Sequence, residues 1–179
     1  MTAPARKRMA IPEFLAWSER QERGRYELAK GEIVAIAPER AEHVTAKANI
    51  WRALADAVAR SGAPCEAFVD GLGVAVVYEP DALLNCGEAI APEAMLAPSP
   101  IVIAEVHSPS SRNMDRSVKL AGYFRLKTLV HYLVVDLGRR AVPHYRRDEA
   151  DAFLLRIVTE GSIRLDPPGL DLALKDVFA

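Results

Sequence analysis

The run Ile101-Val102-Ile103-Ala104-Glu105-Val106, introduced by Pro100, constrains this chain more than any other stretch. It is apolar except for one carboxylate. Period-two alternation puts Ile101, Ile103 and Glu105 on one face of a strand, and Val102, Ala104 and Val106 on the other. A charge near the end of such a buried strand is costly unless it is paired or binds metal. Glu105 is therefore a structural salt bridge, a strand-end residue reaching solvent, or a functional group. The Ser108-Pro109-Ser110-Ser111 segment that follows reads as a helix cap. It sets Glu105 beside a helix start and favours function.

The rest of the chain supplies what such a strand needs around it. Ile11 to Glu22 reads as a short amphipathic helix with Ile11, Phe14, Leu15 and Trp17 turned inward. Arg25 to Ala29 and Glu32 to Ala37 are strand-like, and the Lys30-Gly31 link suits a tight hairpin. From Glu39 to Arg60 the chain is rich in alanine and free of Gly and Pro. Val44, Ala48, Trp51, Leu54, Ala55 and Val58 fall at helical spacing there, and Ser61-Gly62 ends the helix. Strands are expected at Pro64 to Asp70, Leu72 to Tyr78, and from Asp81 through Leu84. Asn85 to Pro100 reads as a loop. A helix is expected from Arg112 to Leu126, then strands at His131 to Asp136, Val142 to Arg147 and Phe153 to Val158, and a turn of helix at Leu172 to Phe178. This order predicts an α/β chain of α+β character, a mixed β-sheet flanked by helices.

The 179 residues suit one domain, from Ile11 to the C-terminus, after a flexible stretch over residues 1–10. No apolar run approaches the roughly 20 residues that span a bilayer. Basic residues near the N-terminus lack an apolar stretch behind them, so no secretory leader is expected. The two cysteines, Cys65 and Cys86, suit a reducing compartment, and the expected location is the cytoplasm. Basic and acidic residues number 23 and 24, so no global field draws the chain to nucleic acid. The clusters Arg6-Lys7-Arg8, Arg139-Arg140 and Arg146-Arg147 read as solvated surface.

Asp81 follows Pro80, which fixes the chain's approach to the next strand. Alone, Pro-Asp is a turn signal. With Glu105, it gives two carboxylates on neighbouring strands, able to hold a hard divalent cation with a backbone carbonyl such as that of Val106. Water on such an ion can attack a phosphodiester while the metal neutralises developing charge.

Glu79-Pro80-Asp81-Ala82-Leu83, Glu105-Val106-His107-Ser108-Pro109-Ser110, Lys119-Leu120, Tyr123-Phe124 and His131-Tyr132-Leu133-Val134-Val135-Asp136 follow one another in this chain, after Arg25-Tyr26-Glu27-Leu28 and Gly31-Glu32. In order and spacing they resemble the Uma-type restriction endonuclease family, a branch of the PD-(D/E)XK superfamily, from about Ile11 to Phe178. The resemblance implies a restriction-endonuclease-like fold and cleavage of DNA with Mg2+ or Mn2+. It makes Asp81 the motif aspartate, Glu105 the motif glutamate and Glu27 an acid that completes the metal site. The motif lysine is absent: His107 stands two residues after Glu105. The resemblance moves that role to Lys119, which would orient water or stabilise the phosphorane.

Helical periodicity reads Lys119 differently. Met114, Val118, Leu120, Ala121 and Phe124 form the inward arc, with Arg112, Arg116, Lys119 and Tyr123 opposite. Asp115 lies one turn before Lys119, so a surface ion pair accounts for it as well. The Arg112-Arg116-Lys119 stripe is alternatively a phosphate contact beside the site, and Tyr123 lines the same cleft. His43 is a cleft-lining or packing residue, and His107 a substrate contact or a strand cap. His131 and Asp136 read as structural, Trp17 and Trp51 as core. Two function classes remain: a metal-dependent DNA endonuclease, for which a homodimer would bring two sites to a duplex, or a catalytically inactive nuclease-fold module for nucleic-acid or protein binding.

Overall fold

The computed structural model describes residues 8–75, 78–107 and 119–179. Helix α1 spans Ile11–Ser18 and buries Phe14. Strands β1 (Tyr26–Ala29) and β2 (Glu32–Ala35) pair antiparallel, Ala29 opposite Glu32. Lys30 and Gly31 both take positive φ, 52° and 83°. That is the backbone a two-residue hairpin of matching twist requires.

A six-stranded sheet forms the centre, in the order β3 (Cys65–Val69), β4 (Ala82–Cys86), β5 (Pro100–His107), β6 (His131–Asp136), β7 (Val142–Arg147) and β8 (Phe153–Val158). Only β5 and β6 pair parallel, so the sheet is mixed, as expected. The apolar run of β5 lies in its interior, with Val102, Ile103 and Ala104 fully buried. One face of the sheet, with Ala82, Leu84, Val102, Ala104 and Leu133, packs on helix α2 (Ala41–Ser61). The other face, with Leu83, Ile103 and Tyr132, is covered by Tyr123, Leu126 and Leu129. Layers on both sides are what an apolar interior strand demands. Helix α2 ends where Gly62 adopts φ 68° and its N–H caps the carbonyl of Val58.

Several expectations need correction. The inward stripe of α2 is Ala46, Lys47, Ile50, Ala53, Leu54 and Ala57, whereas Val44 is exposed. Apolar periodicity misplaces this face because a lysine is drawn inward by carboxylates from other segments. No strand forms from Leu72 to Tyr78 among the described residues; Gly73 makes an isolated bridge to Leu96. Asp70 and Gly71, both at positive φ, end the extended chain just before it. A further hairpin, β9 (Ser162–Leu165) with β10 (Leu170–Ala173), leads into a helical turn at Leu174–Val177 and joins the α2 core. Residues 119–123 are helical; the Ser108-Pro109-Ser110-Ser111 cap, Arg112, Met114, Asp115, Arg116 and Val118 lie outside the described residues. No helix among the described residues is long and apolar enough to cross a membrane.

Cys65 and Cys86 are joined in a disulfide, against the expectation of reduced thiols. The β3–β4 register sets them directly opposite, with Cα atoms 4.0 Å apart, although 21 residues separate them in sequence. Closing a loop of this length removes unfolded-state entropy worth about 3 kcal/mol. Reduction by dithiothreitol is therefore expected to lower the urea midpoint by the equivalent of about 3 kcal/mol. An unchanged midpoint, with two thiols confirmed by alkylation, would show that the sheet holds this pair without the bond.

Candidate functional site

Asp81 immediately precedes β4, and the register that opposes Ala82 to Ala104 brings it to the end of β5 where Glu105 sits. Its Oδ2 accepts the N–H of Val106 at 2.6 Å. Its Oδ1 lies 2.7 Å from the ammonium of Lys47, and Oδ2 lies 3.7 Å from His43 Nε2. Burial opposes its charge, yet the His43 ring, Lys47 and the Val106 N–H outweigh burial and hold the carboxyl below the usual range. Asp81 is thus an anion fixed in orientation.

Glu105 lies on the face that strand alternation assigns to it, beside Ile103 and against Tyr123. The Tyr123 hydroxyl donates to Glu105 Oε1 at 2.5 Å, and Lys119 Nζ stands 3.6 Å from the same oxygen. Burial pushes the Glu105 carboxyl up to about 8; the charge of Lys119 opposes this, and those of Asp81 and Glu27 reinforce it. Glu27, buried on β1, accepts from Lys119 at 2.8 Å and from the N–H of Glu79 at 2.9 Å, both at Oε1. Burial disfavours the Lys119 ammonium, but Glu105 and Glu27 hold its pKa above the ordinary value.

The structure therefore brings Glu27, Asp81, Glu105, Lys119, Tyr123 and His43 together. Helical periodicity misplaces two of them. Tyr123 is fully buried and Lys119 is mostly covered, while Ala121, expected inward, is exposed. Lys119 and Tyr123 are one turn apart, so both reach the acids from one side of their helix. His107 is half-buried at the end of β5, and its carbonyl accepts the Leu137 N–H. His131 and Asp136, expected to be structural, both make contacts away from the acids. His131 Nε2 donates to the carbonyl of Pro167, and His144 Nε2 then donates to His131 Nδ1. Burial pushes both rings down to about 4, so the pair is neutral. Asp136 pairs with Arg139 in the following turn.

Periodicity also misses an outer ring of charge. Lys47 Nζ lies 2.5 Å from Glu39 Oε1 and 3.4 Å from Asp70 Oδ1, besides its contact with Asp81. Arg25 grips Asp70 through two nitrogens at 2.5 and 2.6 Å and reaches Glu79 at 2.5 Å. A signal for Lys47 exists in the sequence. It stands one turn after His43, so if His43 lines the cleft, Lys47 does too.

Six carboxylates (Glu27, Glu39, Asp70, Glu79, Asp81 and Glu105) thus share three fixed cations (Arg25, Lys47 and Lys119). The carboxylates offer oxygens, the set that suits a hard divalent ion, and one imidazole stands beside them. The surplus of negative charge leaves such an ion a role to fill.

Comparison with known proteins bears on the family and the fold. An uncharacterized protein of Synechocystis sp. is 24% identical over 177 residues, covering 96% of this chain and 92% of that protein. The fold is similar to the crystal structure titled as a putative nuclease belonging to DUF820 from Anabaena variabilis, with a TM-score of 0.73 and 16% identity, over 95% of this chain and 97% of that one. The Uma2 family, described as "Putative restriction endonuclease", matches residues 11–175, and the chain belongs to that family.

Proposed function

We propose that this protein is a metal-dependent endonuclease that hydrolyses phosphodiester bonds of DNA. The observation that carries the reading is Lys119 bridging two buried acids, Glu27 and Glu105, with the buried Asp81 next to Glu105 across the β4–β5 pair. Asp81 and Glu105, with Glu27 beside them, would hold Mg2+ or Mn2+. The bound ion supplies Lewis-acid stabilisation of phosphate charge and a more acidic water. Asp81 is kept ionised and aimed by Val106 N–H and Lys47, so it is oriented before any substrate arrives. Lys119 presents an ammonium that stays protonated at neutral pH. It is suited to orient a water or to neutralise an equatorial phosphate oxygen. Tyr123 fixes Glu105 through its hydroxyl.

A cytoplasmic location remains part of this reading, without the reduced cysteines from which it was expected. The homodimer is part of it too, since cutting both strands favours two related sites.

The non-catalytic alternative has one observation in its favour: Lys47 and Lys119 already neutralise much of the acid charge internally. Single-turnover cleavage of labelled duplex and single-stranded DNA separates the readings. The wild type is expected to cut with Mg2+ or Mn2+ and not with EDTA, and Asp81→Asn is expected to be inactive. Protein that stays folded and cuts neither substrate with either metal is the binding module instead.

A further inference from the structure

Strand β8 closes one end of the six-stranded sheet, and its outer edge has no partner among the described residues. Which backbone groups it offers follows from its neighbour. Arg147 gives its N–H to the carbonyl of Val130, on the β6 side, and stands opposite Phe153. Phe153 therefore turns its own N–H and carbonyl outward, and strand alternation sends those of Leu155 and Ile157 the same way. The side chains are apolar too. Leu154, Leu155 and Ile157 are 60%, 53% and 63% exposed, and Arg156 is the one charge in Phe153–Val158. Exposed edges are ordinarily blunted by charge, proline or cover. The opposite edge shows this: β3 carries Glu66, and Trp51 Nε1 donates to the carbonyl of Ala67 at 3.1 Å.

We propose that β8 is the interface of a homodimer, in which two copies pair this strand antiparallel about a two-fold axis at Leu155 and join their sheets. A second copy fits because the strand is complementary to itself. With Leu155 opposite the partner's Leu155, Phe153 meets the partner's Ile157, and Ile157 meets the partner's Phe153. At all three positions outward N–H and carbonyl groups face each other, so every group the edge offers is satisfied. The side chains at these positions share one face and are all apolar. They extend the aromatic cluster in which Phe124 stacks on Phe153 at 3.7 Å and meets Tyr145. On the other face Arg156 lies opposite the partner's Leu154, so the two arginines sit diagonally rather than head-on. One strand from each copy buries less than a permanent dimer interface, which points to dissociation in the micromolar range. The inference names a surface for the homodimer of the proposed function, but it rests on the edge strand and not on cleavage. The alternative occupant, an extended segment of another protein, leaves this chain a monomer.

Sedimentation velocity of the full chain, from about 1 to about 200 μM, tests this. Wild type is expected to pass from monomer to dimer across the range. Leu155→Lys sets two ammonium groups opposite each other at the axis and should weaken the dimer about a hundredfold or more. Leu155 is more than half exposed, so this variant should melt as wild type does. Cysteine cross-linking reads the register. Opposed hydrogen-bonded residues have Cα atoms about 5.5 Å apart, within the range a disulfide bridges. Leu155→Cys should therefore give a covalent dimer on mild oxidation. Leu154→Cys should not, because it lies two residues out of register with the partner's Leu154. A monomer at every concentration overturns the proposal and leaves the nuclease reading to its own cleavage test. A wild-type dimer that Leu155→Lys leaves intact overturns it too, as does one that Leu154→Cys traps and Leu155→Cys does not.

Discussion

Glu105→Gln is expected to make the metal-free protein more stable in alkaline solution while abolishing cleavage. The wild-type carboxyl has a folded-state pKa of about 8 against an ordinary value of 4.5, because burial disfavours its charge. A group raised in this way contributes its full stability below pH 4.5 and loses it as pH climbs to about 8. The slope reaches about 1.4 kcal/mol per pH unit across that window. Glutamine keeps a carbonyl oxygen for Tyr123 and cannot ionise, so the variant escapes the loss. The advantage should grow from pH 5 to pH 8 and then level off. Reading it as the difference between the two proteins cancels the His131–His144 pair, whose stability is instead lost as pH falls from 6.5 through about 4. Parallel melting temperatures for wild type and variant over this range would mean that Glu105 is ionised throughout. Added Mn2+ should reverse the ranking, because only the wild type can give the ion a carboxylate here.

Lys119→Met should show a double loss. Its ammonium joins Glu27 at 2.8 Å and Glu105 at 3.6 Å in a mostly covered setting, so this is no surface pair. Removing one partner of a buried ion pair costs about 3–5 kcal/mol, because the other charge stays behind. Proton uptake by Glu105 will recover part of that, since Lys119 is the charge that opposes its upward shift. Denaturant melts should therefore show the variant less stable, with its Glu105 window moved to higher pH. In single-turnover cleavage, loss of a transition-state contact worth about 3 kcal/mol slows the reaction on the order of a hundredfold. Lys119→Arg, which keeps the charge, should recover more stability than rate. Wild-type rates in Lys119→Met would confine the lysine to charge balance. A stability change under about 0.5 kcal/mol would restore the surface-pair reading.

The parts of this site that were legible from sequence are those governed by short-range periodicity and backbone chemistry. The two-residue repeat of β5 places Glu105 on the face of Ile103, and the structure agrees. Lys30-Gly31 predicts the hairpin that carries Glu27, and Pro80 marks where the chain turns into β4. Ser162–Leu165 and Leu170–Ala173 also alternate, but four residues each is too short a signal alone; packing on α2 completes that hairpin.

What sequence determined, then, is the mixed sheet, its apolar central strand and the two acids at its end, because strand alternation and turn chemistry act between neighbours along the chain. Tertiary structure decided where the cations point, against what apolar periodicity assigns. Lys47 and Lys119 sit on helices whose apolar periodicity assigns other residues to the interior. They turn inward because carboxylates distant in sequence, Asp81 for one and Glu27 for the other, wait where the elements meet. The Cys65–Cys86 bond has the same origin, in a register set 21 residues away. Coulomb attraction and strand pairing act through space, and a one-dimensional pattern of apolar residues carries neither.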